Sequence, residues 1–178
     1  MVLQRLFAVR PTQVAGQALY AASARQARQP GFYRDLGVAD SGEGRFELYT
    51  LHVALILIRL KGRGAVAADT AQRLFDSYVR ALDDALREMG VGDLSVGKKM
   101  RTLGEAFYGR VKAYEEALQA LPDRTALEDL LARTVLEGGD ASSAPTLAGY
   151  AARAAAGLAA QPLEDLLEGR VQWPRIDS

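Results

Sequence analysis

Apolar residues recur at spacings of three and four from one end of the chain to the other, and no run alternates apolar and polar positions as a half-buried strand would. The pattern predicts an all-α protein, a single-domain bundle of about seven or eight helices. The first spans about 12–28, with Val14, Ala18, Leu19 and Ala22 on a weak apolar face. Pro30 suits the first turn of a short second helix over 31–36, which Gly37 closes. Asp40 followed by Glu43 has capping-box spacing and starts a central helix of about 44–61. Its stretch Leu51 to Ile58 is apolar all round. That is the mark of the helix at the centre of a core, and it is too short for a membrane span, which takes about 20 residues.

Gly62 and Gly64 predict a turn before a long helix of about 66–89, where Leu74, Phe75, Tyr78, Val79, Leu82, Leu86 and Met89 make one broad apolar stripe. Gly90 and Gly92 turn the chain, and Asp93 or Ser95 is placed to cap a helix of about 96–120. In it Val96, Met100, Leu103, Phe107, Val111, Tyr114 and Leu118 follow strict helical spacing, the strongest periodic signal in the chain. Gly104 and Gly109 are positions where a neighbouring helix is expected to come close. Pro122 ends this helix. Thr125 and Glu128 form a second capping-box pattern, and Leu127, Leu130, Leu131 and Val135 carry the apolar face onward. Residues 138–145 read as a flexible loop, 146–160 as an Ala-rich helix suited to tight packing, and 171–178 as a C-terminal tail after a short last helix.

Composition removes several chemistries from this framework. At 178 residues one domain with one core is the expectation for residues 1–178. There is no cysteine, so disulfides, thiolate nucleophiles and thiolate metal sites are excluded, and with His52 as the single histidine no His-rich zinc site can be assembled. Positive and negative side chains balance overall, which argues against a nucleic-acid coat and for no specific DNA partner. They are unevenly placed, because the basic N-terminal segment 1–34 carries +5 and no acid, and the remainder −5. Arg5 interrupts any secretory h-region, and Pro11 leaves little room for a removable transit peptide.

The candidate chemistry is sparse. Gly92 to Lys98 satisfies the spacing of a phosphate-binding loop, but Lys99 stands where that loop needs Ser or Thr, and a helix precedes it where a strand is required. Asp76, Asp83, Asp84 and Glu88 share a helix with Arg80 and Arg87 and read as a solvated, internally paired face. His52 lies within the buried helix and reads as a hydrogen-bonded core residue, with Asp76 as a guessed partner. Neighbouring rings such as Phe32 and Tyr33, or Phe107 and Tyr108, diverge by about 100° on a helix and cannot both face inward. Some Tyr, Phe and Arg surface is therefore expected to be exposed, and these types dominate binding hot spots.

Beyond these readings, the blocks Gly44 to Leu55, Leu74 to Asp76, Leu86 to Met100 and Phe107 to Arg110, with Gln26 to Tyr33 and Gly37 to Asp40, resemble the ubiquinol–cytochrome c chaperone family. The resemblance covers about residues 18–115. It implies an assembly factor for the cytochrome bc1 complex with no catalysis and no cofactor. In mitochondrial relatives such a factor meets newly made cytochrome b near the ribosome together with a small partner protein. The Arg-rich, Lys-poor composition points to the cytoplasm of a bacterium, peripheral to the inner membrane, or to the matrix side in a eukaryote. On this reading Tyr20, Phe32, Tyr33, Phe107 and Tyr108 form the client-binding surface, and Arg25, Arg28, Arg34, Arg45, Lys98, Lys99 and Arg110 contact ribosomal or lipid anions. Phe46, His52, Asp76, Arg87, Gly90, Gly92 and Asp93 form a structural motif of the family. A small-molecule enzyme and a stable accessory subunit of a respiratory complex are the alternatives.

Overall fold

A computed structural model describes residues 10–176, so Arg5 and the rest of the first nine residues, with the last two of the tail, lie outside the described residues. The described chain forms eight α-helices and no strand: α1 (Pro11–Ala27), α2 (Pro30–Arg34), α3 (Gly42–Leu60), α4 (Ala65–Glu88), α5 (Asp93–Gln119), α6 (Thr125–Ala132), α7 (Ala144–Ala160) and α8 (Leu163–Leu167). The apolar run of α3 leaves no face for water, so it is surrounded. Leu51, Val53, Ala54, Leu55 and Ile56 are all buried, and α1, α4, α5 and α7 pack around them. The three polar side chains caught in this helix are satisfied internally. Thr50 Oγ1 meets Tyr78 OH at 2.7 Å, His52 bonds at both ring nitrogens, and Glu47 binds Arg110.

Helix starts differ from the capping pattern in the sequence. Ser41, not Asp40, caps α3, its Oγ accepting from Gly44 N at 3.1 Å. Asp40 is instead engaged by Arg45 at 2.7 Å. At α6, Thr125 is already inside the helix, and Asp123 two residues earlier accepts from its amide at 2.9 Å and its hydroxyl at 2.7 Å. The first helical residue of α5 is Asp93, with Gly92 as its N-cap and no side-chain cap. At α3 the nearer acceptor, Ser41, takes the free amide, and at α6 the helix begins at Thr125 itself, whose hydroxyl is spent as a donor to Asp123.

The α4–α5 corner uses the glycine that its geometry demands. Gly90 has φ +78°, its amide bonds Arg87 O at 2.9 Å and the Val91 amide bonds Leu86 O at 3.1 Å, which closes α4 in a Schellman arrangement. Arg87 then clamps the turn by pairing with Asp83 at 2.6 Å and with Asp93 across it. Residues 138–145 are more structured than the expected loop. Ala141–Ser143 form a 3-10 turn capped by Asp140, whose amide bonds Gly37 O at 3.0 Å. The tail also folds back: Val171, Trp173 and Ile176 pack on the core, and Gln161 Nε2 donates to Gln172 O at 3.0 Å.

Close helix approach occurs at a different glycine from those expected. A Cβ on Gly104 or Gly109 would meet nothing within 4 Å, whereas on Gly16 it would stand 2.5 Å from Arg73 Cβ and 2.6 Å from the Leu74 amide nitrogen. Gly16 is thus where α1 lies on the α4 backbone. Gly16→Ala is expected to lower stability by about 1–3 kcal/mol through overpacking. Gly109→Ala, in an open mid-helix position, is expected to raise it by up to about 1 kcal/mol through helix propensity. Thermal melts of the two variants followed by circular dichroism check both signs.

Candidate binding surfaces

Two concave surfaces flank the core. The first lies between α4 and α5, where the apolar stripes of the two helices are wider than the seam in which they meet. Tyr78 and Phe107 are buried at its base, 4.9 Å apart between ring centroids. From there the rings step outward: Phe75 stands 5.2 Å from Phe107 and 5.6 Å from Tyr108, and Tyr108 is 63% exposed. Val79 and Leu82 from α4 and Met100 and Leu103 from α5 complete an open groove of about 380 Å³. Gly104 lines it as well, so the missing side chain leaves room in the groove rather than a seat for another helix of this chain. Lys98, Lys99 and Arg101, all exposed, put positive charge along the same end of α5.

The second surface lies where α2 and the start of α3 meet the end of α1. Arg28, Tyr33, Arg34, Arg45 and Tyr49 line a pocket of about 360 Å³, together with Pro30 and Asp40. The Arg28 Nε donates to Tyr49 OH at 2.7 Å, and its guanidinium carbon stands 5.5 Å from that ring's centroid. Tyr33 OH donates to Ala27 O at 2.9 Å. Burial pushes the phenols of Tyr20 and Tyr33 up from their ordinary value, and the neighbouring Tyr49 adds to this.

The residues expected at a client surface therefore divide. Phe32 and Phe107 are core residues, 0% and 1% exposed, and neither offers a face to a client. Phe32 points its edge contacts at His52, 5.5 Å away, and at Tyr150, 5.0 Å away. Tyr20 and Tyr33 are half-buried, and Tyr108 alone of the five is widely exposed. Among the expected anion contacts, Arg25, Arg34, Lys98 and Lys99 are exposed on the surface. Arg110 is committed elsewhere. Its Nε and Nη2 grip the carboxylate of Glu47, which is 8% exposed, at 2.9–3.1 Å, and this bond raises the arginine's pKa. The residues that wall the groove, Val79, Leu82, Met100 and Leu103, read in the sequence as core. The visible hint was the breadth of the α4 stripe.

His52 is fully buried, as its helix implied, but its partner is not Asp76. Nδ1 lies 2.7 Å from Leu48 O and Nε2 2.8 Å from Tyr150 OH. Because Leu48 O can only accept, the network assigns the proton to Nδ1 and makes Nε2 the acceptor for Tyr150, whose oxygen accepts in turn from Gln26 Nε2 at 3.0 Å. Trp173 from the tail closes the site edge-on, 4.9 Å from the imidazole. Asp76 is engaged on its own helix by Gln72 at 2.7 Å and by Arg73 at 3.6 Å. Phe46 packs beside Tyr78 with centroids 6.5 Å apart.

Among the described residues no group of three or more His, Asp or Glu is placed to hold a metal ion, and no helix is long and apolar enough to cross a membrane. What the chain exposes is an apolar groove and a cationic, tyrosine-lined pocket on a helical scaffold, the equipment of a protein that binds other molecules. The chain belongs to the ubiquinol-cytochrome C chaperone family, whose model matches residues 34–173. The crystal structure of the Cbp3 homolog from Brucella abortus is similar along nearly its whole length, with 32% identity, a TM-score of 0.86, and coverage of 99% of this chain and 98% of that one. No curated protein sequence matches the chain. The family match reaches Trp173, well beyond the sequence blocks that first suggested it, and so takes in α6 to α8 as part of the family's domain.

Proposed function

We propose that this protein is a non-catalytic assembly chaperone that binds newly made cytochrome b during biogenesis of the bc1 complex, seating one of its apolar helices between α4 and α5. The observation that supports this reading is the open groove walled by Val79, Leu82, Met100 and Leu103, with the exposed ring of Tyr108 beside it. An amphipathic or apolar helix binds such a groove through anchors three and four residues apart. A membrane polypeptide that has not yet been inserted must shield that kind of surface from water. Contact of Lys98 and Lys99 with the ribosome, a small partner protein and a peripheral position at the cytoplasmic face of the membrane belong to the same reading.

The test is a photo-crosslinking amino acid placed at Leu103, with Ala156 on α7 as the control position, in cells that are actively making the complex. Crosslinks to cytochrome b from position 103 and not from 156, on protein absent from the finished complex, are the expected result. Absence of cytochrome b at 103, or co-purification in fixed proportion with the mature enzyme, would overturn it, and the second outcome would identify an accessory subunit.

A further inference from the structure

The pocket of Arg28, Arg34 and Arg45 is separate from the client groove and is not needed by it. We propose that this pocket binds a phosphate group, carried by an anionic phospholipid headgroup or by a small soluble phosphate. The inference does not depend on which client the groove holds.

Three guanidiniums and one carboxylate line about 360 Å³, a space on the scale of one headgroup. The donors differ in how far they are spent. Arg28 uses Nε on Tyr49, which orients the guanidinium, and its terminal amino groups have no acceptor among the described residues. Tyr49 accepts that bond, so its own O–H remains a donor. Arg34 is exposed and has no hydrogen bond or ion pair among the described residues. Arg45 is held by Asp40, but both side chains are more than half exposed, 56% and 62%, and an exposed pair of this kind exchanges readily. Tyr33, its hydroxyl already donated to Ala27 O, serves as an apolar wall.

A phosphate matches this set better than the other anions. Guanidinium forks bind phosphate oxygens in pairs, and a phosphate monoester, as in phosphatidic acid, offers three terminal oxygens to the three guanidiniums where a carboxylate offers two. A nucleic-acid strand requires a continuous basic track to neutralise successive phosphates. Here Asp40 lies in the pocket itself, and Asp35 and Glu43 interrupt the basic residues along the chain between Arg34 and Arg45. One phosphate is satisfied and a chain of them is not. The half-buried tyrosines at the rim are also the residue type that settles at a membrane–water boundary.

The experiment uses the purified full chain without client. One arm titrates inorganic phosphate and glycerol 3-phosphate by calorimetry. The other floats the protein with phosphatidylcholine vesicles with and without phosphatidic acid. Arg34→Ala is expected to weaken binding about tenfold, the loss of one charge-assisted contact. Asp40→Asn, which frees Arg45 and removes the competing charge, is expected to tighten it about threefold or more. Arg63→Ala, which removes another exposed charge from the α3–α4 turn, should leave it unchanged. Binding of the soluble phosphates that follows this order supports the proposal and names a soluble ligand. Binding confined to phosphatidic acid vesicles, in the same order, supports it and names the lipid. No binding in either arm, or equal weakening by Arg34→Ala and Arg63→Ala, would overturn it. Melting curves of Arg34→Ala and Arg63→Ala should coincide with the parent, since neither arginine has a side-chain partner among the described residues to lose.

Discussion

Phe32→Ala is expected to destabilise the protein by about 3–5 kcal/mol, the cost of truncating a fully buried aromatic side chain. At this chain length that corresponds to a melting temperature lower by about 10 °C. The ring is 0% exposed and sits edge-on to both Tyr150 and His52, so its removal leaves a cavity against a buried hydrogen-bonded pair. A variant at this position would lose chaperone function by unfolding, which distinguishes it from a true contact residue. Tyr108→Ala is the matching contrast. With 63% of its surface exposed, Tyr108 should change stability by no more than about 0.5 kcal/mol. It should nevertheless reduce crosslinking from position 103 if the groove holds the client. Urea denaturation of both variants beside the crosslinking assay separates the two roles.

Acidification is expected to weaken the fold through His52. Burial lowers the imidazole pKa from 6.5 to about 4, against a smaller upward effect of the bond to Leu48 O. In the window between these values the unfolded chain binds a proton that the folded chain refuses. Stability is therefore complete above about pH 6.5 and falls as pH drops toward 4, by about 2 kcal/mol between about pH 7 and about pH 5. A second proton on Nε2 would face the Tyr150 O–H, which already accepts from Gln26 and so has little freedom to reverse. Asp69, Asp123 and Asp140 have pKa values held below 3.8 by hydrogen bonds from Thr12, Thr125 and Ser142, and their contribution is lost only at lower pH still. Urea midpoints at the two pH values measure the effect, and Trp173, the single tryptophan, reports from the same site by fluorescence. His52→Asn, though less stable overall, should lose most of the pH slope. A slope unchanged by that substitution would place the titrating group elsewhere.

The helices themselves were legible because helix formation is governed by neighbours three and four residues apart, which the sequence displays directly. The buried centre at α3 and the α4–α5 corner at Gly90 followed from apolar runs and a glycine in place. Family membership was legible for a different reason, the order and spacing of residue blocks. The candidate surfaces were less so. Divergence of neighbouring side chains correctly required one of Phe107 and Tyr108 to face outward, but not which one, and Phe32 was placed outside although Tyr150, 118 positions along the chain, encloses it.

Local periodicity and composition thus determined an all-α fold, its helix order and the absence of cysteine chemistry, while the order and spacing of residue blocks carried the likeness to one chaperone family. Tertiary structure alone decided that Ser41 rather than Asp40 caps α3, that α1 crosses α4 at Gly16, that His52 pairs with Tyr150, and that Arg28 at the end of α1, Arg34 of α2 and Arg45 of α3 converge on one pocket. The physical reason is range. A helix is set by contacts along a few residues, whereas a groove or a pocket is set by how much of each helix's apolar and charged surface its distant neighbours leave uncovered.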